Sequence, residues 1–304
     1  MPGAPNAESG APVFPAARRS QVVMTSAPFC ADMPFAPKSL SQTRELSYDP
    51  DDRDSLGGLV AFSRERLELR HFEVQLLYDA AFLFWGIGGV LAERWAHGPR
   101  FGAYSLNFDR LLLTKAAGDN TVVGACGLKA SAFSSEEEGA SIRQSERFAL
   151  QWLDDCIKVL QPQHITRVYV KIIYSYPVQA RDRIASTLFN EYPGLREFPV
   201  SDYKEVQPGI TFHARSEGGP HDDLATGTFG LYGSDQVSSL FQSTRPDEGP
   251  ALGLVYDLGR NFSGSKAGHA AAGTLLRDVI DQAKRDSWDL VTKNLMRVIN
   301  RVGA

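Results

Sequence analysis

The chain has 304 residues, 43% of them hydrophobic and 22% charged, a balance that excludes wholesale disorder. Its formal net charge is −4 and its isoelectric point about 5.9, so it lacks the basic excess of a general nucleic-acid or anionic-membrane binder. Three cysteines, Cys30, Cys126 and Cys156, with no close spacing exclude a disulfide framework and a CxxC metal or redox motif, and point to a reducing cytoplasm.

In chain order, residues 1–24 are rich in Pro, Ala, Gly and Ser and read as a flexible N-terminal arm. They contain no apolar stretch behind a basic start, and none of adequate length follows Arg18-Arg19, so neither a secretory nor a twin-arginine signal is expected. The remainder reads as two sheet-and-helix units, 25–140 and 141–304.

Ala80 to Ala92, AAFLFWGIGGVLA, is thirteen residues without a charge. A membrane span needs about 20 apolar residues, so the expectation is no membrane segment but a buried helix over about Val74 to Ala96, with Trp85 inside. Gly86, Gly88 and Gly89 match neither nucleotide-binding spacing, GxGxxG or GxxxxGK[ST]. Each glycine within a helix costs about 1 kcal/mol against alanine, so such residues mark close packing of another element, or a kink.

After His97-Gly98-Pro99 the period changes. Tyr104–Thr114 and Thr121–Phe133 predict an antiparallel hairpin turned at Ala117-Gly118-Asp119-Asn120. Ser134-Ser135 before Glu136-Glu137-Glu138 reads as a capping and first-turn signature, with Gly139 delaying a helix that runs through Ser145 to Leu160. Its apolar stripe is Phe148, Trp152, Cys156 and Val159. His164–Tyr176 predicts a strand with Thr166, Val168, Val170 and Ile172 on one face, followed by a helix over about Gln179–Tyr192. Gly209–Arg215, Ala225–Tyr232 and Ala251–Leu258 are further strands. Gly268–Val302 is a long terminal helix with Leu276, Ile280, Ala283, Val291, Leu295 and Ile299 on its apolar side. The expected fold is α+β, antiparallel sheets packed against helices, with no repeat strong enough to prove that the two units are a duplication.

Chemistry-bearing motifs are sparse. The six histidines show no HExxH spacing. His221-Asp222-Asp223 could offer an imidazole and oxygen ligands to a divalent ion, but adjacent residues point apart and the Gly218-Gly219-Pro220 context suits a solvated loop. Gly264-Ser265-Lys266 lacks the upstream glycine of a phosphate loop, although Lys266 precedes a helix start that could bind phosphate. Tyr169, Tyr174 and Tyr176 with Arg167 and Lys171 suggest a stacking platform for single-stranded nucleic acid, against which stand the absent RNP signature and the negative charge. Trp288 lies at the margin of the terminal helix's stripe and is a candidate interface anchor.

Phe84-Trp85, Trp152-Leu153, Ile165-Thr166-Arg167-Val168-Tyr169-Val170, Tyr256-Asp257-Leu258 and the helix from Leu275 to Ile299 together resemble an uncharacterised, sporadically distributed bacterial protein family. The early apolar strand of that family is poor here, since Val22-Val23-Met24 soon meets Pro28. The resemblance implies a fold class and a bacterial, cytoplasmic setting, and carries no activity.

The functional expectation is a non-enzymatic interaction or assembly protein in a bacterial defence or mobile-element system, without cofactor, working through a protein partner or self-association. Its candidate binding residues are Trp288, Tyr174, Tyr176 and Lys266. The alternative is an enzyme or nucleotide sensor with a site between sheet and helix, using Lys266 or His221-Asp222-Asp223.

Overall fold

Alternation builds the centre of the molecule. Phe72, Val74, Leu76 and Tyr78 are buried at every second position of strand β1 (Glu68–Tyr78), and Val168, Val170, Ile172, Tyr174 and Tyr176 do the same in β6 (Ile165–Pro177). These two strands pair antiparallel. The computed structural model describes residues 62–98, 100–137, 139–179, 181–192, 208–216, 221–233, 249–262 and 269–302. The sequence-predicted arm 1–24, Cys30 and Gly264-Ser265-Lys266 lie outside these residues.

The remaining strands are β2 (Ala103–Leu106), β3 (Arg110–Ala116), β4 (Asp119–Gly127), β5 (Ala130–Ser135), β7 (Gly209–Ser216), β8 (Asp222–Tyr232) and β9 (Ala251–Asn261). All nine form one antiparallel sheet in the order β2-β3-β4-β5-β1-β6-β9-β8-β7. Among the described residues four helices, α1 (Phe84–Ala96), α2 (Ile142–Leu160), α3 (Arg181–Glu191) and α4 (His269–Val302), pack on one face of it. The class is α+β, with the long C-terminal helix as expected.

The connectivity repeats. β1 is followed by α1, then by strands that return until β5 lies beside β1, then by α2. β6 is followed by α3, then by strands that return until β9 lies beside β6, then by α4. The strand order is therefore nearly mirrored about the β1–β6 pair, and α1 and α3 occupy equivalent places.

Four local expectations are corrected. The helix expected from Val74 begins only at Phe84, because the period-2 burial of β1 runs on to Tyr78. The first arm of the hairpin breaks into β2 and β3 at Asn107-Phe108-Asp109, while Gly118, at φ 83°, turns β3 into β4. The helix cap expected at Ser134-Ser135 is supplied by Ser141, whose Oγ accepts from the Gln144 amide at 3.2 Å. Ser134 and Ser135 belong to β5 instead. Thr166 is exposed rather than in line with Val168, next to a register shift against β1.

Under the helices the core is aromatic on the β2–β5 side. Trp152 donates its indole N–H to the Ala132 carbonyl at 2.7 Å and meets Trp95 and Phe101 edge-on at 5.5 and 6.0 Å. Gly124 lies beneath: a Cβ there would stand 2.8 Å from Phe101 and 3.2 Å from Trp152.

Candidate interaction surface

α1 is built to bury one face only. Phe84, Gly88, Leu91, Ala92 and Ala96 turn inward. At about 100° per residue, Gly86, Gly89, Val90 and Glu93 fall on the opposite side and Trp85 on the flank. Trp85, expected in the core, is 53% exposed. It stacks on Phe108 at 5.5 Å and lies 5.8 Å from Phe82. Phe82, Tyr104 and Phe108 are 66%, 58% and 78% exposed, and Leu83, Val90 and Leu106 are exposed as well. Tyr104 and Leu106 stand on the terminal strand β2, opposite Leu113 and Leu111 and hence on its helix side.

Taking about 200 Å2 for a whole aromatic side chain, the four aromatics alone leave about 500 Å2 uncovered. That is already near the upper end of the largest apolar patch on an ordinary monomer, about 300–600 Å2, before the three aliphatic residues are added. The two outward glycines share this surface. A Cβ at Gly88 would meet the Phe84 ring at 3.1 Å, which explains that glycine, but nothing lies within 4 Å of a Cβ at Gly86 or Gly89. The close packing that such glycines imply is therefore not supplied by the described part of this chain.

The equivalent helix gives a control. α3 turns Ile184 and Leu188 inward and presents Asp182, Arg183, Ser186 and Asn190 outward. The fold accepts a polar outer face at this position, so the uncharged outer stretch of α1 up to Val90 is a property of its own sequence.

The face of the sheet away from the helices carries a polar row beside a small apolar cluster of Ile173, Ala251, Tyr232 and Val255. Ser134, Glu73, Lys171, Asp257, Thr226 and His213 follow one another across β5, β1, β6, β9, β8 and β7. His71 Nδ1 lies 2.8 Å from Glu136, and Nε2 lies 3.3 Å from Glu73. Burial pulls the His71 pKa down, but hydrogen bonds and charge from both carboxylates outweigh it and hold the pKa above its ordinary value. Tyr169 donates to Asp257, and burial followed by that carboxylate pushes its phenol far up. Arg167 lies across Gly259 with its buried Nε unpartnered among the described residues.

The sequence-predicted residues are distributed as follows. Period-2 alternation separates the expected platform, leaving Arg167, Tyr169 and Lys171 on the polar face. Tyr174 and Tyr176 are turned under the helices and buried, so they offer no stacking face. Burial raises the Tyr174 hydroxyl to about 12. Trp288 is half-buried, edge-on to Tyr174 at 6.2 Å and beneath the Arg64 guanidinium at 5.8 Å. Asp223 pairs with Arg260 through two 2.8 Å bonds, and Arg260 also donates to Gln282 of α4 at 2.5 Å. His221 stands 3.8 Å from Asp223 and near the Phe262 ring. Among the described residues no group of three His, Cys, Asp or Glu side chains is placed to hold a metal ion. A cleft of about 510 Å3 between α2 and α4 is lined by charged residues, including Arg147, Arg277 and Lys284, and contains none of the expected site residues.

Sequence reasoning missed Phe82, Leu83, Tyr104, Leu106 and Phe108; the only signal was the charge-free run, which it assigned to the interior. No family model, curated protein or solved structure matches the chain.

Proposed function

We propose that the protein is an interaction or assembly protein that docks through the apolar surface formed by α1 and β2. The carrying observation is the continuous Phe82–Trp85–Phe108 cluster, exposed beside the start of a helix whose equivalent, α3, is polar outside. Aromatic anchors of this kind dominate binding energy where they become fully desolvated. A reducing bacterial cytoplasm is the proposed setting. Cys126 and Cys156 are buried, in contact and unbridged, and no described helix is long and apolar enough to cross a membrane. A defence or mobile-element system is the proposed context.

The test is the native mass of the complex purified with the full chain, compared with that of Trp85→Glu/Phe108→Glu. Both side chains are exposed enough for the variant to fold. The reading expects the thermal midpoint to be kept and the native mass to fall. An unchanged mass would remove the surface from consideration. The competing reading, an enzyme or small-molecule sensor, draws its support from the polar face around His71, Tyr169 and Lys171. It would be favoured by a small molecule retained on the wild type and lost in His71→Gln.

A further inference from the structure

We infer that the occupant of this surface is a second copy of the same chain, with α1 packed antiparallel on α1 of the partner copy across a two-fold axis. The inference rests on the docking reading above and names its partner. Helices approach most closely where small residues line the contact, and Gly86 and Gly89 are glycines of α1 that face open space among the described residues. An axis passing near residues 87 and 88 sets Gly86 of one copy against Gly89 of the other, with Trp85 of both copies along one flank of the contact and Val90 of both along the other. The same patch then serves both sides, which makes the contact isologous and closes it at two chains.

Charge favours this arrangement. Glu93 is the one charged side chain in the middle of the outer face, because Arg94 lies to the side and pairs with Asp155 at 3.2 Å. α1 begins without a capping side chain and without an acidic residue in its first turn. Antiparallel packing brings Glu93 of each copy beside that uncompensated N-terminus, where a carboxylate is stabilised by the helix dipole. A parallel pair would instead set the two Glu93 carboxylates side by side. The four aromatics give about 500 Å2 per copy and the aliphatic residues add to it, a large part of the about 800 Å2 that each partner contributes to a standard interface.

Sedimentation equilibrium of the full chain from sub-micromolar to tens of micromolar, alongside Gly86→Ala/Gly89→Ala, tests the inference. The expected result is a two-chain wild type and a double variant that associates at least tenfold more weakly. At concentrations where both are monomeric, the variant should melt at the same or a higher temperature, since alanine favours the helix and meets no neighbour. Trp85→Glu provides a second break in the contact should the glycine pair perturb folding. A two-chain species with affinity unchanged in both variants would place the contact elsewhere and overturn the inference. A wild type that stays monomeric but binds a different protein, or neutral phosphatidylcholine vesicles, in a Trp85-dependent way would overturn the second-copy assignment and leave the docking reading standing. A monomer that binds nothing through Trp85 would overturn both.

Discussion

Replacing Asp223 by Asn separates a structural role from a ligand role at the one place where the sequence suggested a divalent ion. Asp223 and Arg260 face each other across β8 and β9, both nearly buried, with two 2.8 Å bonds. Arg260 reaches on to Gln282, so the pair fastens two strands to α4. Asn keeps the shape but removes the charge, leaving a buried guanidinium without its counter-ion. Losing one partner of such a pair costs about 3–5 kcal/mol. At about 2–4 °C per kcal/mol for a domain of this size, the thermal midpoint should fall by about 6–20 °C. The charge-free pair Asp223→Leu/Arg260→Met should recover most of that loss, because it leaves no buried charge unpaired. Thermal unfolding by circular dichroism at neutral pH, with EDTA or with added magnesium or manganese, is the assay. A shift under about 2 °C for Asp223→Asn would refute the energetic reasoning. A wild-type midpoint that rises with divalent ion while the variant's does not would restore Asp223 as a metal ligand.

Trp152→Ala should cost about 3–5 kcal/mol, since it empties the centre of the Trp95–Phe101 cluster and removes the indole bond to the Ala132 carbonyl; denaturant unfolding reads it, and a loss under 1 kcal/mol would contradict the packing. Cys126 and Cys156 should resist a thiol reagent in the folded chain and react on unfolding, because both are buried and burial pushes the Cys156 thiol up. His71 has a folded pKa above its unfolded 6.5, so its stabilising contribution is complete below 6.5 and is lost as pH rises through the folded value. Glu73, held below the ordinary carboxylate range despite burial, acts in the opposite sense: its contribution is lost as pH falls through its folded value. Urea unfolding from pH 5.5 to 9 should show a decline above about pH 6.5 in the wild type that His71→Gln lacks, and parallel profiles would count against the pairing.

The fold was legible where a single periodicity ruled. β6 and α4 emerged nearly in full, because Val168, Val170 and Ile172 alternate and Leu276, Ile280, Ala283, Val291, Leu295 and Ile299 repeat at helical spacing. β1 was missed where its alternating residues ran straight into an uncharged helix, so that Val74 to Tyr78 could be read in either period. The cap at Ser141 was displaced because Ser134-Ser135-Glu136-Glu137 carries the same residue types. The glutamates there have other partners: Glu136 holds His71, and Glu137 pairs with Arg100 and Lys115. Pairings across the sheet have no local signature, which is why neither those contacts nor Asp223–Arg260 could be anticipated.

The surface was hidden for a different reason. A charge-free run such as AAFLFWGIGGVLA reads as interior because most such runs are interior, and nothing local states how much of a helix its neighbours cover. Burial of α1 is settled by α2, which carries Trp152, and by the strands beneath it, which take one face and leave the other. Only the repeat of the fold shows that the uncovered face is unusual, since α3 in the same place carries Asp182, Arg183, Ser186 and Asn190. The glycines carried the clearer message. Their cost to the helix, about 1 kcal/mol each, is accounted for at Gly88 by the Phe84 ring and is left unaccounted for at Gly86 and Gly89, on the same face as the exposed Val90. Two helix-weakening residues facing open space beside exposed aromatics are what a contact surface requires and what an isolated monomer does not.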